Sequence, residues 1–331
     1  MNYTDKAKFE RLLSVFDDNF RITALYADYL NIFPEIITKD MVDSICENGV
    51  EEKFAISALL AEIFALDIDT NPDDKRIFRD YVIPSVRILD AKKYTENPYY
   101  KNVKLPDVSL ENWEFKNEAY EPYRAVICDD MIINKDFSEI PPLGFFTERF
   151  EFPAVLENGN EWMTLTPVDL DTSEDAIMRS RGKVVTFGLG LGYFAYMASE
   201  RDNVESVTVV EKSEKVIELF NTYVLPSFNH PEKIRIVNYD AFEYAEHIMP
   251  NEHFDFAFVD TWRDASDGAP MYEKMKALEH LSTNTEFSYW IENFLISHIR
   301  ARKLVELRDD YSNGNLDKSY EQITEILNTI P

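Results

Sequence analysis

The chain has 331 residues, and 61 Asp and Glu against 34 Lys and Arg give it a net charge of −27. Because an acidic surface repels phosphate backbones, this composition argues against DNA or RNA as a bulk substrate and favours a small molecule or a cationic partner. Only Cys46 and Cys128 occur, and no apolar run is long enough to cross a bilayer. We therefore expect no disulfide framework, no metal site, no membrane association and a cytoplasmic location, while a homo-oligomer stays open.

The first 95 residues predict a helical N-terminal module. Apolar residues recur at helical spacing, so that one predicted face carries Phe9, Leu12, Leu13 and Phe16. Breaks near Pro34, Asn48–Gly49 and Asn71–Pro72 divide this stretch into several helices.

Residues 96–171 predict a β-rich connector. Its extended segments are 123–128, 143–147, 150–152 and 161–165. The turn at 157–160 contains Asn-Gly, which suits a hairpin. Side chains at the end of this segment precede the predicted sheet and could close over an acceptor molecule; they are Trp162, Met163, Thr164 and Pro167.

Residues 172–331 predict an α/β domain, a doubly wound, Rossmann-like parallel sheet. We expect a capping box at Thr172 and Asp175 to open the helix that runs to Gly182. Strand-length apolar runs then alternate with helical stretches; the predicted strands are 183–187, 204–211, 233–237, 254–260 and 287–291. After Ile291 the pattern is helical again, so the usual terminal β-hairpin of such a sheet is not evident.

The stretch 183–192 is the centre of this domain, since an apolar strand there meets Gly188, Gly190 and Gly192. In doubly wound sheets the ligand lies at the carboxyl ends of the strands. The residues just past the predicted strands are Gly188 to Tyr193, Glu211, Asp240 and Asp260 to Trp262. Glycines at the first strand end allow close backbone approach, and the acids after later strands can accept hydrogen bonds from a ligand.

This order of motifs resembles the class I S-adenosylmethionine-dependent methyltransferases. The resemblance implies that the glycine loop holds the methionine moiety, Glu211 the ribose, Asp240 with Ala241 the adenine, and that Asp260 lies at the reacting end. It assigns S-adenosylmethionine to Phe187, Gly188, Gly190, Gly192, Tyr193, Glu211, Lys212, Asp240, Ala241, Phe242 and Asp260. Asp260 is the expected base, and Trp262 joins the four connector residues as a candidate for binding a small-molecule acceptor.

Two other enzyme classes share parts of the pattern. A dinucleotide dehydrogenase needs its last glycine at position 193, which is Tyr here. The sequence around Glu211, Asp240 and 254–260 resembles that of spermidine synthases, which transfer an aminopropyl group. Those enzymes, however, carry Asp in the glycine loop where this chain has Leu191. Asp260 with Glu292–Asn293 also has a weak similarity to the metal ligands of catechol-type O-methyltransferases. Aminopropyl transfer and a non-catalytic, cofactor-binding regulator stay open beside methyl transfer.

Overall fold

The computed structural model describes residues 2–47, 49–106, 108–110 and 112–330. Its helices are α1 (Tyr3–Ile32), α2 (Lys39–Cys46), α3 (Glu52–Ile63), α4 (Pro72–Ile77), α5 (Ile83–Ser85), α6 (Ala91–Thr95), α7 (Pro98–Asn102), α8 (Pro167–Arg179), α9 (Tyr193–Ser199), α10 (Glu214–Leu219), α11 (Ala241–His247), α12 (Ala265–Leu278), α13 (Glu292–Ser312) and α14 (Tyr320–Asn328). A π-helical turn, Phe78–Val82, joins α4 to α5. None of the described helices combines the length and apolar character that a bilayer-spanning segment needs.

The strands are β1 (Val86–Leu89), β2 (Val108–Leu110), β3 (Trp113–Tyr120), β4 (Ala125–Ile127), β5 (Ile132–Ile133), β6 (Glu139–Ile140), β7 (Leu143–Phe146), β8 (Phe150–Glu157), β9 (Asn160–Thr164), β10 (Gly182–Phe187), β11 (Val204–Glu211), β12 (Ile234–Asn238), β13 (Phe256–Val259) and β14 (Glu286–Tyr289). The five predicted strands of the C-terminal half correspond to β10 to β14. A mixed α/β fold with a parallel sheet is therefore confirmed.

The chain forms two compact units, each assembled from separate stretches of sequence. The first unit comprises Met1–Leu89, Glu121–Glu148 and Asn293–Pro331, and the second comprises Asp90–Tyr120 and Arg149–Glu292. These units cut across the segments 1–95, 96–171 and 172–331, which stay a prediction about the organisation of the sequence.

The first unit combines helices with short strands. Strand β7 pairs in parallel with β1 and antiparallel with β4, so residues from the predicted helical module and the predicted connector share one sheet. The helical prediction therefore misses β1. A second cluster packs α1 against α13 and α14 through Phe9, Leu12, Phe16, Leu304, Leu307, Ile323 and Leu327. The predicted break at Asn48–Gly49 includes Asn48, which lies outside the described residues, while the predicted breaks at Pro34 and Asn71–Pro72 separate helices as expected.

The second unit contains a five-stranded parallel sheet in the order β12-β11-β10-β13-β14. Its central strand, β10, pairs with β11 and with β13, so Val184 lies beside both Val207 and Phe256. All three of these side chains are fully buried, as expected for parallel strands covered on both faces. Because the strands are parallel, Phe187, Glu211, Asn238 and Val259 all end their strands at the same edge of the sheet.

A four-stranded antiparallel sheet in the order β2-β3-β8-β9 also belongs to the second unit. The predicted hairpin joins β8 to β9 through Asn158 and Gly159, whose φ angles of 54° and 77° suit a two-residue hairpin turn. Strand β9 carries Trp162, Met163 and Thr164.

The predicted capping box is wrong in position. Helix α8 begins at Pro167, and the box consists of Thr166 and Asp169: the Thr166 amide donates to Asp169 Oδ2 at 2.7 Å. Pro167 occupies the first turn, where the missing N–H costs nothing. Thr172 lies inside the helix and its hydroxyl donates to the Val168 carbonyl, so it cannot open the helix.

Candidate functional site

The second unit has a cavity of about 550 Å³ whose walls include the carboxyl ends of the parallel strands. This size suits a ligand of nucleoside or drug dimensions, since such sites span roughly 300 to 1,000 Å³. The structure brings together most of the predicted site residues here, namely Trp162, Met163, Thr164, Gly188, Gly190, Glu211, Lys212, Asp240, Ala241, Phe242, Asp260 and Trp262.

Four predicted site residues lie outside the lining of this cavity. Phe187 is fully buried in β10, and Gly192 packs against the ring of Phe220. Tyr193 begins α9, and its hydroxyl accepts a hydrogen bond from Asn97 Nδ2 at 3.0 Å. Pro167 is buried in the first turn of α8. These positions indicate that the four residues stabilise the glycine loop and α8.

Two glycines of the glycine loop are required by the packing of the protein around them. A Cβ on Gly188 would overlap the carbonyl oxygen of Asp260, and a Cβ on Gly190 would overlap the thioether of Met163. Both glycines also have positive φ, +96° and +52°. The space in which a Cβ would lie is therefore filled by protein at both positions. Their main chains still line the cavity, so the backbone can approach a ligand from its other side.

Glu211 lies at the end of β11 and links the glycine loop to the start of α10. Its Oε2 accepts from the Leu189 amide at 3.2 Å, and its Oε1 accepts from the Ser213 amide at 2.8 Å. An ionised carboxylate has room for about four hydrogen bonds, so two of its lone pairs remain for a ligand. The two amides fix the carboxylate at the cavity wall.

Asp240 is the N-cap of α11. Its Oδ1 accepts from the amides of Phe242 at 2.9 Å and Glu243 at 3.2 Å. The carboxylate is exposed and lines the cavity. Helix capping alone explains why position 240 carries an acid. Binding of adenine by Asp240 stays a prediction.

Asp260 follows β13 and is held through its main chain, because its amide donates to the Phe187 carbonyl at 2.9 Å. Burial raises the pKa of its carboxyl group to about 8, and the nearby charge of Asp169 raises it further in the same direction. Burial likewise raises the pKa of Asp169 to about 6, against the lowering effect of its two hydrogen bonds from Thr166. The two carboxyl groups therefore titrate near neutral pH, where acid–base groups are most effective.

Two polar atoms beside Asp260 have no hydrogen-bond partner among the described residues. They are Thr261 Oγ1 and Trp262 Nε1, both buried, and both residues line the cavity. The Trp262 ring stacks on Tyr289 with centroids 6.4 Å apart and an interplanar angle of 12°. A buried, unpaired indole N–H is costly, so this wall of the cavity favours a ligand that accepts a hydrogen bond.

The lining of the cavity is acidic. Its ionisable carboxyl groups belong to Glu161, Asp169, Glu211, Asp240, Asp260 and Asp267, and its cations are Lys212 and Arg263. Carboxyl groups thus outnumber cations by six to two. This excess favours ligands that carry positive charge.

Sequence reasoning missed several residues of the wall, including Asp169, Arg263, Asp267, Met271 and Trp290. The sequence Thr166-Pro-Val-Asp169 could have indicated Asp169, because it is a capping-box pattern with Pro at the first helical position.

The weak similarity of Glu292 to a metal ligand has another explanation. Its Oε1 accepts from the Tyr272 hydroxyl at 2.7 Å and pairs with Lys276 at 3.3 Å. Within the described ranges, no group of three or more His, Cys, Asp or Glu is placed to hold a metal ion.

Comparison with known proteins finds similarity to solved structures. No protein-family model matches the sequence, and no curated protein matches it. The chain is similar to the crystal structure of spermidine synthase from Thermotoga maritima, with a TM-score of 0.30 and 16% sequence identity. The match covers 47% of this chain and 60% of that chain, which is less than two thirds of that protein's length. The cavity, rather than this similarity, supports the function proposed below.

Proposed function

We propose that the second unit has a class I methyltransferase-like arrangement, binds S-adenosylmethionine and transfers its methyl group to a small acceptor molecule. One observation carries the proposal: a single cavity is lined by residues that follow four successive strands, with Gly188 after β10, Glu211 at the end of β11, Asp240 after β12 and Asp260 after β13. In sheet order these strands are 3-2-1-4, followed by β14 as the fifth, which is the order of nucleotide-binding doubly wound sheets.

The residues present fit this ligand. Glu211 is a fixed carboxylate with lone pairs left for ribose hydroxyls, and the loop from Gly188 to Gly190 offers main chain at the cavity wall. The unpaired N–H of Trp262 favours a hydrogen-bond acceptor, such as a carboxylate. When bound, S-adenosylmethionine supplies a methyl group that is already activated by its positive sulfur.

Because that methyl group is activated, the work left to the chain is to bind, orient and dehydrate the acceptor. Trp162, Met163 and Thr164 line the same cavity from β9 and would hold the acceptor. An acceptor that carries a proton would lose it to a carboxyl group of the cavity wall around Asp260. The acidic lining would favour the positively charged ligand.

A second candidate is aminopropyl transfer, which the excess of carboxyl groups in the cavity favours because its acceptors are amines. The position of Leu191 argues against it. This side chain is 2% exposed and lines a small neighbouring cavity with Trp113, Phe115, Leu219 and Phe220. Position 191 therefore supplies no carboxylate to an ammonium in the main cavity.

Calorimetric titration with S-adenosylmethionine, S-adenosylhomocysteine and NAD tests the proposal. We expect micromolar binding of the first two, a free energy of about −7 to −8 kcal/mol. Glu218, an exposed carboxylate of α10 that pairs with Lys215, provides a matched control for Glu211. The variant Glu211→Gln should weaken binding and Glu218→Gln should not. Binding of NAD without binding of either sulfur compound would overturn the proposal.

A further inference from the structure

Asp169 is held rigidly at the wall of the main cavity. As the third residue of α8 it completes the capping box, and its Oδ2 accepts from both the amide and the hydroxyl of Thr166, at 2.7 and 2.9 Å. These bonds restrict the carboxylate to one position. The residue is partly buried and lines both the main cavity and a smaller one that adjoins it.

Asp260 shares both of these cavities with Asp169. Its main chain is fixed on two sides, by the hydrogen bond to Phe187 and by the close approach of its carbonyl oxygen to Gly188. Within the part of the chain that the structure describes, its carboxyl group has no hydrogen bond or ion pair. Two carboxyl groups thus face one partly buried space, that of Asp169 fixed by a helix cap and that of Asp260 carried on a fixed main chain.

Other charged groups also face this space. The cations are Lys212 and Arg263, and the remaining acids are Glu161, Glu211, Asp240 and Asp267. Neither cation forms an ion pair with Asp169 or Asp260 among the described residues. The acids outnumber the cations, so the surroundings favour retention of protons by the two carboxyl groups.

We propose that Asp169 and Asp260 act as a pair that holds one proton between them at neutral pH, and that this pair, rather than Asp260 alone, meets the acceptor. The proposal rests on the function proposed above for its use of an acceptor. Like charges in one buried space cannot both form freely, so the first carboxyl group to ionise keeps the second protonated. Asp169 is the ionised member, because its two hydrogen bonds from Thr166 favour the charged form, whereas no described residue donates a hydrogen bond to the Asp260 carboxyl group. Burial raises the pKa of both groups.

The pair defines what kind of acceptor group fits. The neutral carboxyl group of Asp260 donates a hydrogen bond, and the carboxylate of Asp169 accepts a proton. An acceptor that both receives a hydrogen bond and loses a proton, such as an amine or a hydroxyl, matches the two roles. The proton that leaves the acceptor passes to Asp169 and then to solvent, and no other bond to the pair forms or breaks.

Carbon-13 NMR titration of the intact protein, labelled at the aspartate carboxyl carbons, tests the pair without any ligand. Each titration step is assigned by the variant that removes it. In the wild type, the step of Asp260, which Asp260→Asn removes, should lie near pH 8. The step of Asp169, which Asp169→Asn removes, should lie near pH 6. Asp169→Asn should move the Asp260 step down by at least one pH unit. Asp260→Asn should leave the Asp169 step in place, because Asp260 is already neutral when Asp169 titrates. This asymmetry identifies Asp169 as the member of the pair that ionises first.

Two further variants separate the pair from a structural role of Asp169. Asp169→Glu restores the negative charge and should bring the Asp260 step back toward 8. Asp171→Asn, two residues along α8, removes a carboxylate that binds Lys93 and Tyr94 and does not line the cavity, so it should leave both steps unchanged. An Asp260 step that stays in place in Asp169→Asn would overturn the proposal. If Asp169→Asn does not fold, a wild-type Asp260 step below pH 5 would overturn it equally well. A coupled titration in a protein that does not bind S-adenosylmethionine would reject only the proposed function.

Discussion

Met163 and Gly190 lie in direct contact, such that a Cβ on Gly190 would overlap both the sulfur and the terminal methyl group of Met163. The two residues come from different elements, β9 and the loop after β10, and both line the main cavity. The thioether therefore occupies the space beside the glycine loop. The lack of a side chain at position 190 is needed for protein packing before any ligand binds.

The first prediction is that Gly190→Ala destabilises the protein. Gly190 has φ of +52°, so an alanine there meets both an unfavourable backbone and Met163, and we expect a loss of about 1 to 3 kcal/mol in the free energy of unfolding. Urea denaturation measures this loss. Because the glycine loop is expected to allow close backbone approach to a ligand, Gly190→Val should also abolish cofactor binding, and the contact with Met163 adds a cost to folding.

A matched control separates the two causes. Gly159 has φ of +77° and nothing within 4 Å of an added Cβ, so Gly159→Ala reports the backbone cost alone. Truncation of the neighbour in Gly190→Ala/Met163→Ala should recover the steric part of the loss. Equal costs for Gly190→Ala and Gly159→Ala would show that Met163 yields without strain.

The second prediction concerns Glu211. Its replacement in Glu211→Ala should weaken S-adenosylmethionine binding by about 2 to 3 kcal/mol, because charge-assisted hydrogen bonds to the ribose are lost. Asp240→Ala should cost binding less, but it should destabilise α11 by about 1 kcal/mol since Asp240 is the N-cap. Calorimetry and urea denaturation separate the two effects. If cofactor analogues lacking both ribose hydroxyls bind the wild type as tightly as the parent, Glu211 does not hold the ribose.

The third prediction concerns the pH dependence of stability. Burial raises the pKa of Asp130 and Asp169 to about 6 and that of Asp260 to about 8, against about 3.9 in an unfolded chain. Between about pH 4 and 8 the folded state therefore binds more protons than the unfolded state, so the contribution of these groups to stability falls as pH rises.

The variant Asp260→Asn removes the largest of these shifts, because asparagine stays neutral at every pH. Relative to the wild type, it should gain about 3 to 5 kcal/mol of unfolding free energy between pH 5 and 9, at about 1.4 kcal/mol for each pH unit below 8. Urea denaturation at pH 5, 7 and 9 measures this. Asp171→Asn is the control and should show no such gain. A stability difference for Asp260→Asn that does not change with pH would contradict the raised pKa.

The fourth prediction concerns the buried ion pair of the first unit. Arg300 donates to Glu139 at 3.0 Å, and both side chains are less than 10% exposed. Glu139 also accepts from the Ser297 hydroxyl at 2.7 Å. Removal of one charge in Arg300→Met should cost about 3 to 5 kcal/mol, because Glu139 is left buried and unpaired, whereas Glu139→Gln/Arg300→Met should cost less. Thermal or urea unfolding of both variants decides between these outcomes.

The sequence predicted the parallel sheet because its strands are buried on both faces and read as apolar runs. Strand β11 matches the prediction at both ends, and β10 and β14 differ from it by one or two residues. Short strands of the first unit, such as β1 and β7, were harder to predict. Their parallel pairing joins residues 86–89 to 143–146, and no local pattern in sequence encodes a partner at that distance.

Site residues could be predicted where they lie at or just after the end of a strand; these are Gly188, Glu211, Asp240 and Asp260. They could not be predicted where they reach the cavity from another element. Asp169 enters from the first turn of α8, and its sequence signal describes a helix cap and not a cavity wall. The packing role of Gly190 also required the structure, because Met163 lies 27 positions earlier in the chain and on a different sheet.

The last prediction separates methyl transfer from aminopropyl transfer, and it depends on Leu191. We expect S-adenosylmethionine to bind more tightly than its decarboxylated form, since a carboxylate can accept hydrogen bonds from loop amides and from the unpaired Trp262 N–H. We also expect no spermidine from putrescine. Competition titration with both cofactors and a product assay with putrescine measure these outcomes. Leu191→Asp should not create the polyamine activity but should destabilise the protein by several kcal/mol, roughly 3 or more, because it buries an unpaired carboxylate among apolar side chains. Preference for the decarboxylated cofactor, or 5′-methylthioadenosine released together with a polyamine, would instead establish the second candidate.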